Sequence, residues 1–337
     1  MMHYNRLGKS NLKVSALCLG TMMFGDQTGI DEARSIVAAA TANGINFIDT
    51  ADAYTNGASE EIVGKTLQKT RNDWVVATKL GNSMGNAPNQ GHYSRSWILR
   101  GLDQSLTRLA MDHVDILYLH RDYPEANLEE AVQALGDLIR VGKIRAFGLS
   151  NFRGWRIAEV GHLCRQVGVP QPVVCQPYYN LLNRGPEVEI LPACAHHGIG
   201  VVPYSPIARG VLTGKYLPGQ VAPEGTRAGR GDKRIMETEF RPESLAIAQQ
   251  LKAYCDANGH SLGQFATAWV LANPIVSSVI AGPRTLAQME DYFPAVALKI
   301  NAEAEALVDT LVHPGHASTP GYNDPSYPFV GRPSAAS

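Results

Sequence analysis

The segment LGTMMFG, residues 19–25, decides between two folds that the rest of the sequence allows. It ends the first short apolar run, where an open, doubly wound sheet that binds a dinucleotide normally carries a GxGxxG fingerprint. The segment does not match this fingerprint. The mismatch counts against the open sheet and leaves a closed barrel of parallel strands.

Short apolar runs alternate with amphipathic helical patterns along most of the chain. The predicted strands cover residues 16–21, 46–51, 74–80, 114–120, 144–150, 172–177, 200–205 and 277–282. The predicted helices cover residues 31–43, 59–69, 94–109, 128–141, 155–167, 187–196 and 244–257, with Asp31 and Ser94 as N-caps. Strands that alternate with helices pair in parallel, and eight repeats of about 35 residues fit one barrel. We therefore predict an α/β fold, an eight-stranded parallel (β/α)8 TIM barrel.

Three segments lie outside this repeat. Apolar residues on both sides of residues 8–11 predict a small N-terminal β-hairpin that closes the bottom of the barrel. Residues 207–243 are rich in Gly, Pro and Arg and predict a long loop after strand seven, which forms a lid or binding loop or else is disordered. We expect a single barrel domain over residues 1–312 and an irregular C-terminal tail over residues 313–337.

Composition excludes several classes of partner and location. Hydrophobic residues make up 45% of the chain and the formal net charge is −1, so no overall field attracts nucleic acid or an anionic membrane. No apolar run reaches the ~18–20 residues of a membrane span, and the first residues lack the apolar core of a signal peptide. The five cysteines form no CxxC pair. These features predict a cytoplasmic protein without nucleic-acid or membrane partners, and they leave the oligomeric state open.

Polar side chains end three successive predicted strands. Asp49 ends the second strand, with Tyr54 just beyond it, while Lys79 and His120 end the third and fourth. In a barrel of this type the carboxyl ends of the strands meet at one rim and form the active site. An unpaired ammonium at the end of a buried strand is costly, and Asp49 on the neighbouring strand offers a counter-ion. The pattern predicts that these four side chains form one site.

The charges of these groups favour proton donation to a carbonyl oxygen. We expect the Lys79 ammonium to stabilise the phenolate of Tyr54 and so to lower the pKa of this tyrosine from its usual value of about 10. A neutral imidazole at His120 would orient the carbonyl oxygen. Hydride must come from a cofactor, because no side chain donates one.

The sequence resembles the aldo-keto reductase family over roughly residues 4–300. The motifs that carry the resemblance are NFIDTADAY, VVATKLG, ILYLH, IRAFGLSNF, CQPYYN and VVPYSPIARG. The resemblance implies a (β/α)8 barrel that uses NADPH without a Rossmann domain. It also implies that the catalytic residues are Asp49, Tyr54, Lys79 and His120, with the tyrosine as acid for reduction of a small-molecule carbonyl substrate.

The resemblance also implies a cofactor site on several strand ends. Ser150, Asn151 and Gln176 would bind the nicotinamide carboxamide, and Tyr204 would stack on the ring. The pyrophosphate would be lined by Ser205, Pro206, Ile207, Ala208, Arg209, Gly210 and Lys215, with Arg227 reaching it from the long loop. Gly20, Thr21, Met22 and Asp49 would approach the cofactor or the substrate.

The segment VIAGPRTLAQMEDY resembles the part of the family that holds the adenosine 2′-phosphate. Gly282, Arg284, Gln288 and Asp291 match, and Arg284 would clamp the phosphate. The sequence departs from the family at Tyr292, where Asn is more common, and at HRDYP after His120, where Asp122 and Tyr123 predict an unusual pocket rim. Further candidates for the pocket wall, with core packing as the alternative role, are Met22, Met23, Phe24, Trp97 and Tyr123.

Two other functions remain open. The first is an NADPH-binding regulatory subunit with weak catalysis, similar to the proteins that attach to potassium channels. The second is a metal-dependent TIM-barrel hydrolase with Asp49 and His120 as ligands, although Lys79 beside them counts against a metal cation. We predict no metal site, because His313 and His316 have no Cys or acidic neighbours and the pair at 196–197 has no ligand spacing.

Overall fold

The computed structural model describes residues 1–328 of the 337-residue chain. Two short strands, β1 and β2, form an antiparallel N-terminal hairpin, and eight more strands form one parallel sheet. The strands are β1 (Tyr4–Arg6), β2 (Lys13–Ser15), β3 (Leu17–Gly20), β4 (Phe47–Asp49), β5 (Val75–Leu80), β6 (Val114–Leu119), β7 (Ile144–Ser150), β8 (Val174–Gln176), β9 (Gly200–Val201) and β10 (Val279–Ala281).

The parallel sheet curls into a ring. Its hydrogen-bonded order is β10-β3-β4-β5-β6-β7-β8-β9. The two end strands meet where the N–H of Ser277 donates to Val201 O at 2.8 Å and the N–H of Ile280 donates to Pro203 O at 3.0 Å. The predicted (β/α)8 barrel and its N-terminal hairpin are confirmed, although most of the strands are shorter than predicted.

Helices surround the ring. They are α1 (Ile30–Ala42), α2 (Ala58–Leu67), α3 (Arg95–Leu109), α4 (Leu128–Arg140), α5 (Gly154–Val167), α6 (Ile190–His197), α7 (Lys233–Thr238), α8 (Pro242–Ala257), α9 (Leu262–Ala272), α10 (Leu286–Tyr292) and α11 (Ala302–Leu311). Within residues 1–328 every helix is too short or too polar to cross a lipid bilayer.

The starts of the first and third helices test the predicted caps. Ser94 caps α3, since its side chain accepts the N–H of Trp97. The prediction for Asp31 is wrong: α1 begins at Ile30 after Gly29, and Asp31 lies in the first turn. A carboxylate in the first turn still stabilises the helix through its interaction with the positive end of the helix dipole.

The hairpin closes the bottom of the barrel. Leu7 and Val14 are fully buried and pack with Phe47, Ile116 and other side chains inside the ring. Gly8, at the hairpin turn, has a φ of +58°, and a Cβ there would lie 2.5 Å from the backbone nitrogen of Gly200. Only glycine accommodates both the left-handed backbone and this close approach.

The long connection after β9 is only partly irregular. It contains a 3₁₀ helix, Ala208–Thr213, and helix α7, and α8 begins at Pro242 inside the predicted loop. Of the predicted tail, residues 313–328 contain no helix or strand, and residues 329–337 lie outside the described residues. The division into a domain over 1–312 and a tail over 313–337 stays a prediction.

Candidate active site

The four predicted catalytic side chains meet at the carboxyl edge of the barrel. Asp49 is the last residue of β4, Lys79 lies near the end of β5, and His120 directly follows β6. Tyr54 begins a 3₁₀ turn, Tyr54–Gly57, in the loop after β4. Parallel pairing of β4, β5 and β6 brings these positions to the same rim.

Lys79 is the centre of the group. Its side chain is 0% exposed, and its Nζ donates to a carboxylate oxygen of Asp49, to Thr50 O at 2.8 Å and to Tyr54 Oη at 3.1 Å. These three contacts use all three protons of the ammonium. Because Lys79 donates to the oxygen of Tyr54, the hydroxyl proton of Tyr54 is left to donate elsewhere.

Asp49 accepts hydrogen bonds on both oxygens. Lys79 donates to Oδ1, and Nε2 of Gln176 donates to Oδ2 at 2.9 Å. Burial raises the pKa of Asp49, and Lys79 and Gln176 lower it only in part. Burial by itself would lower the pKa of Lys79, but Asp49 and Tyr54 outweigh it and the net pKa of Lys79 is raised. Lys79 therefore stays protonated beside a carboxylate that accepts from two donors.

The pKa of Tyr54 corrects the sequence prediction. Burial raises the pKa of Tyr54 above 10, the Lys79 ammonium lowers it in part, and Asp49 raises it again. The expected net fall is wrong, because the charge of Lys79 is shared with Asp49 and burial has the larger effect. Tyr54 consequently keeps its proton at neutral pH, as a proton donor must.

His120 is neutral. Burial, the ammonium of Lys79 and the guanidinium of Arg121 hold the pKa of His120 well below its usual range. The ring lies edge-on to Tyr54, with centroids 5.8 Å apart. Asn82, which the sequence analysis did not single out, places Nδ2 at 3.1 Å from His120 Nδ1. The neutral imidazole expected from the sequence is therefore present.

The backbone around the site holds strained conformations. Thr55 and Asn56 follow Tyr54 with φ of 48° and 51°. A β-branched residue such as Thr55 seldom adopts this left-handed conformation. Other non-glycine residues with positive φ in loops at the same rim are Asn151, Ser205, Ala208 and Arg209. Such strain persists where the surrounding structure fixes a functional geometry.

A cavity of about 400 Å³ opens above Tyr54 and His120. The predicted cofactor residues that line it are Gly20, Thr21, Met22, Asp49, Ser150, Asn151, Gln176, Tyr204, Ser205, Pro206, Ile207, Arg209, Gly210, Lys215, Arg227, Gly282, Arg284, Gln288 and Asp291. Ala208 does not line the cavity and is fully buried. Of the candidate wall residues, Met22 and Met23 line the cavity, whereas Phe24 and Trp97 pack in the core and Tyr123 does not line the cavity.

The residues predicted for the carboxamide are linked to each other. Ser150 Oγ donates to Gln176 O at 3.1 Å, and Asn151 Nδ2 donates to Ser150 Oγ and to His120 O, each at 3.0 Å. Tyr204 Oη donates to Asn151 Oδ1 at 2.7 Å. This network connects the ends of β6, β7 and β8 and fixes the floor of the cavity beside the histidine.

Arg209 reaches the cavity in a different way than the resemblance suggests. Its guanidinium forms a buried ion pair with Glu239 at 2.5 Å and lies 5.4 Å from the ring centroid of Tyr178. Burial by itself would lower the pKa of Arg209, but Glu239 outweighs it and the net pKa is raised. Since Glu239 already neutralises this charge, the guanidinium of Arg209 is less available to a phosphate group than an unpaired one would be.

One lobe of the cavity is positively charged. Lys215, Arg230 and Arg284 line it, and burial together with the two arginines lowers the pKa of Lys215. Arg284 Nη1 donates to Gln27 Oε1 at 2.9 Å, and Arg230 Nη1 donates to Gly225 O at 2.8 Å. Both of these partners are uncharged. An anion in this lobe would relieve the mutual repulsion of the three cations.

Two further charged residues that line the cavity, Arg227 and Asp291, have partners of their own. Arg227 forms an ion pair with Asp232 at 3.1 Å, and Asp291 accepts a bond from Gln264 Nε2 at 2.8 Å. The side-chain oxygen of Gln288 accepts the backbone N–H of Arg284 at 2.9 Å. Gln288 therefore fixes the backbone from which the Arg284 side chain extends.

The C-terminal segment contributes to the wall of the cavity, which the sequence analysis did not foresee. Tyr327 lines the cavity, and its backbone oxygen accepts a bond from Arg153 at 2.7 Å. Arg121 donates to Ser326 O at 2.6 Å. Arg234 forms a bidentate ion pair with Asp324, in which Nη1 donates to Oδ1 at 2.7 Å. The richness of residues 207–243 in arginine was the signal for Arg230 and Arg234, whereas no motif indicated Tyr327.

Comparison with known proteins agrees with this geometry and places the chain among the oxidoreductases. A family model described as "Aldo/keto reductase family" matches residues 16–313. The chain belongs to the Aldo/keto reductase family, as the sequence resemblance predicted, and it is an enzyme of the oxidoreductase class.

Individual relatives carry different names. The chain is 38% identical to the "Probable voltage-gated potassium channel subunit beta" of Arabidopsis thaliana, over 88% of this chain and 91% of that protein. It is 33% identical to the "Versiconal hemiacetal acetate reductase" of Aspergillus parasiticus, over 93% and 99% of the two chains. It is 32% identical to the "L-glyceraldehyde 3-phosphate reductase" of Escherichia coli O157:H7, over 93% of each chain.

Proposed function

We propose that this protein is an NADPH-dependent reductase of aldehydes or ketones. The product is an alcohol, the reaction is reversible, and Tyr54 is the general acid. The proposal includes a cytoplasmic location, which is supported by five unpaired cysteines that are all buried.

The observation that carries the proposal is the position of Lys79 between Asp49 and Tyr54. An ammonium that donates to the oxygen of a tyrosine stabilises the phenolate that forms when the tyrosine gives up its proton. Asp49 offsets the cost of burying this ammonium. Tyr54 also lines the cavity together with His120. The group is therefore suited to give a proton to an oxygen atom in the cavity.

The cavity also fits a dinucleotide phosphate. Its floor carries the side-chain oxygens of Asn151 and Gln176, which can accept the N–H groups of a carboxamide, while the Nδ2 protons of Asn151 are bonded within the protein. Its positive lobe, formed by Lys215, Arg230 and Arg284, matches phosphate groups in charge. These two ends of one cavity support NADPH as the cofactor.

In the proposed reaction the protein supplies the proton and holds the substrate. NADPH supplies a hydride when bound. Tyr54 donates its proton to the carbonyl oxygen, and Lys79 stabilises the phenolate that remains. Asp49 keeps Lys79 protonated and in place, and His120 donates a hydrogen bond that orients the carbonyl. Positioned proton donors of this kind contribute ~10²–10⁴-fold to a rate.

Steady-state consumption of NADPH tests the proposal. We expect the purified protein to oxidise NADPH in the presence of members of a panel of aldehydes, ketones and sugars, with the matching alcohol formed in equal amount. The same incubation without a carbonyl compound is the control. Failure of every carbonyl compound to accelerate NADPH loss above this control would contradict the proposal.

Arg284→Ala tests the preference for NADP over NAD. The Arg284 guanidinium lies in the positive lobe, and within residues 1–328 its recorded side-chain partner is the uncharged Gln27, so a 2′-phosphate would gain a charge-assisted contact. We expect the variant to bind NADPH ~10–100-fold more weakly, with NADH affinity changed far less. Fluorescence titration with each cofactor measures both affinities.

The control for this experiment is Arg145→Ala. Arg145 is exposed and lies near the start of β7 at the opposite end of the barrel, and its side chain donates to Gly142 O at 3.1 Å. The Arg145→Ala substitution removes the same charge far from the cavity, so we expect no change in the affinity for NADPH or for NADH. Equal losses of NADPH and NADH binding in Arg284→Ala would mean that the 2′-phosphate is held elsewhere.

A second candidate function is an NADPH-binding regulatory subunit with weak catalysis. The 38% identity to a protein named as a potassium channel β subunit favours it. This candidate predicts tight retention of NADPH with negligible turnover. The complete group of Asp49, Tyr54, Lys79 and His120 favours catalysis instead, because retention alone does not need a proton donor.

The metal-dependent hydrolase receives no support from the site geometry. Within residues 1–328 no group of three or more His, Cys, Asp or Glu side chains is placed to hold a metal ion. Both oxygens of Asp49 accept N–H groups, and the Lys79 ammonium beside them repels a cation. We therefore do not propose this function.

A further inference from the structure

We propose that Asn82 is a positioning residue that fixes the tautomer of His120, so that the ring proton resides on Nε2 and faces the cavity. A neutral imidazole has one N–H and one acceptor nitrogen, and the partner of one nitrogen selects the state of the other. Asn82 Nδ2 is a donor and lies 3.1 Å from His120 Nδ1. Because the Asn82 amide donates in this contact, His120 Nδ1 must accept and therefore carries no proton.

The opposite nitrogen is left for the cavity. His120 lines the cavity, and within residues 1–328 the structure records no protein partner for Nε2. Burial and the positive charges of Lys79 and Arg121 keep the ring neutral, so the doubly protonated form does not compete. Nε2 is therefore the N–H that meets a carbonyl oxygen.

The orientation of Asn82 is set by the segment that departs from the family, HRDYP. The one proton of Tyr123 Oη has two acceptors within reach, Gly81 O at 3.1 Å and Asn82 Oδ1 at 3.4 Å. When this proton points to Asn82, it holds the carbonyl oxygen of Asn82 on the side of Tyr123, and the Nδ2 group faces His120.

Tyr123 is itself held firmly. Its ring stacks on His92 with centroids 4.1 Å apart, and Arg156 Nη2 donates to Tyr123 O at 3.0 Å. Arg156 is buried and also pairs with Asp122 at 3.0 Å. Asp122 and Tyr123, which the sequence predicted to shape the pocket rim, do not line the cavity and instead fix the chain that supports Asn82.

The inference deepens the proposed function and rests on it for its consequence in catalysis. If His120 orients the carbonyl oxygen, only the Nε2–H tautomer donates to it. Reversing the tautomer removes one hydrogen bond to the oxygen that gains charge in the reaction. Removal of one such donor costs ~10²–10³-fold in rate in other enzymes.

The direct test is nitrogen NMR of protein with ¹⁵N-labelled histidine, recorded at alkaline pH where histidines are neutral. The resonances of His120 are identified by their absence in a His120→Gln sample. We expect Nδ1 in the unprotonated range and Nε2 in the protonated range. A proton on Nδ1 of the unaltered protein would overturn the inference, since the Asn82 amide would then face His120 with its oxygen.

Asn82→Asp reverses the polarity of the contact. At alkaline pH the carboxylate accepts from Nδ1–H, so we expect the proton of His120 on Nδ1, kcat/KM for the carbonyl substrate lower by ~10², and NADPH affinity unchanged. The matched control is Asn89→Asp, which adds the same charge at an exposed position of the same loop and is expected to alter neither readout.

The two proposals fail in distinguishable ways. An Asn82→Asp protein with the proton still on Nε2 overturns the role of Asn82, whatever its activity. A protein that shows the expected tautomers but never consumes NADPH with a carbonyl compound supports the role of Asn82 and contradicts the proposed function. If Asn82→Asp does not fold, the NMR measurement on the unaltered protein still decides the tautomer.

Discussion

Tyr54→Phe is expected to lower kcat ~10²–10⁴-fold while NADPH affinity stays close to that of the unaltered protein. The variant loses only the hydroxyl that receives a bond from Lys79 and faces the cavity. Phenylalanine keeps the ring and its edge-on contact with His120, so the wall of the cavity is preserved. Steady-state kinetics and a fluorescence titration with NADPH measure the two quantities separately.

The hydroxyl-loss control is Tyr254→Phe. Tyr254 lies on the outer helix α8, where its ring packs edge-on against Phe265, so its hydroxyl is remote from the cavity. We expect no change in kcat. If Tyr54→Phe were as active as this control, Tyr54 would not be the proton donor.

Asp49→Ala is expected to destabilise the fold by about 3–5 kcal/mol, the typical cost of leaving one partner of a buried ion pair uncompensated. The Lys79 ammonium is 0% exposed and Asp49 is its only carboxylate partner among residues 1–328. The variant also removes the acceptor for Gln176. Denaturant unfolding measures the change in the free energy of unfolding.

Two further variants make this result specific. Asp103→Ala removes the surface pair with Lys143, in which Asp103 is 55% exposed, and is expected to cost no more than about 1 kcal/mol. The double variant Asp49→Ala with Lys79→Met is expected to recover part of the lost stability, because no buried charge remains. A double variant less stable than Asp49→Ala would contradict the account of the pair as a buried charge and its counter-ion.

The arrangement of strands could be predicted from the sequence because a buried parallel strand is a short apolar run with a clear end. Helix α9 shows where this reasoning fails. Its sequence, LGQFATAWVLA, is apolar on nearly every side, and most of its residues are buried. A helix without a polar face has no amphipathic period, so the pattern that identified α4 was missing here.

The members of the candidate site could be predicted because barrel topology converts sequence position into spatial position. The direction in which the pKa of Tyr54 shifts could not be predicted from the sequence. It depends on how strongly burial opposes the Lys79 ammonium and on how far Asp49 neutralises that ammonium. The contact of Asn82 with His120 depends on a side-chain orientation set by Tyr123. Contacts of this kind, in which a third residue sets the orientation of a side chain, form only in the folded chain and leave no pattern in the sequence.

The tail gives the clearest example of a contact that no local pattern indicates. Tyr327 reaches the cavity because Arg121, Arg153 and Arg234 bind the segment that carries it. Arg121 lies in the loop after β6, Arg153 in the loop after β7, and Arg234 in α7. No motif in the sequence links any of these arginines to the segment that carries Tyr327.

The central claim is that the Lys79–Tyr54 pair delivers a proton to a carbonyl that is being reduced. A single-turnover experiment tests this claim most directly. Protein saturated with NADPH, with no excess of cofactor, is mixed rapidly with a carbonyl compound that the steady-state panel has identified, and cofactor fluorescence is followed. The account predicts loss of all bound NADPH and one equivalent of alcohol, with the rate lowered by at least ~10² in Tyr54→Phe. Retention of unreacted NADPH by the unaltered protein, or equal rates in the two proteins, would contradict it.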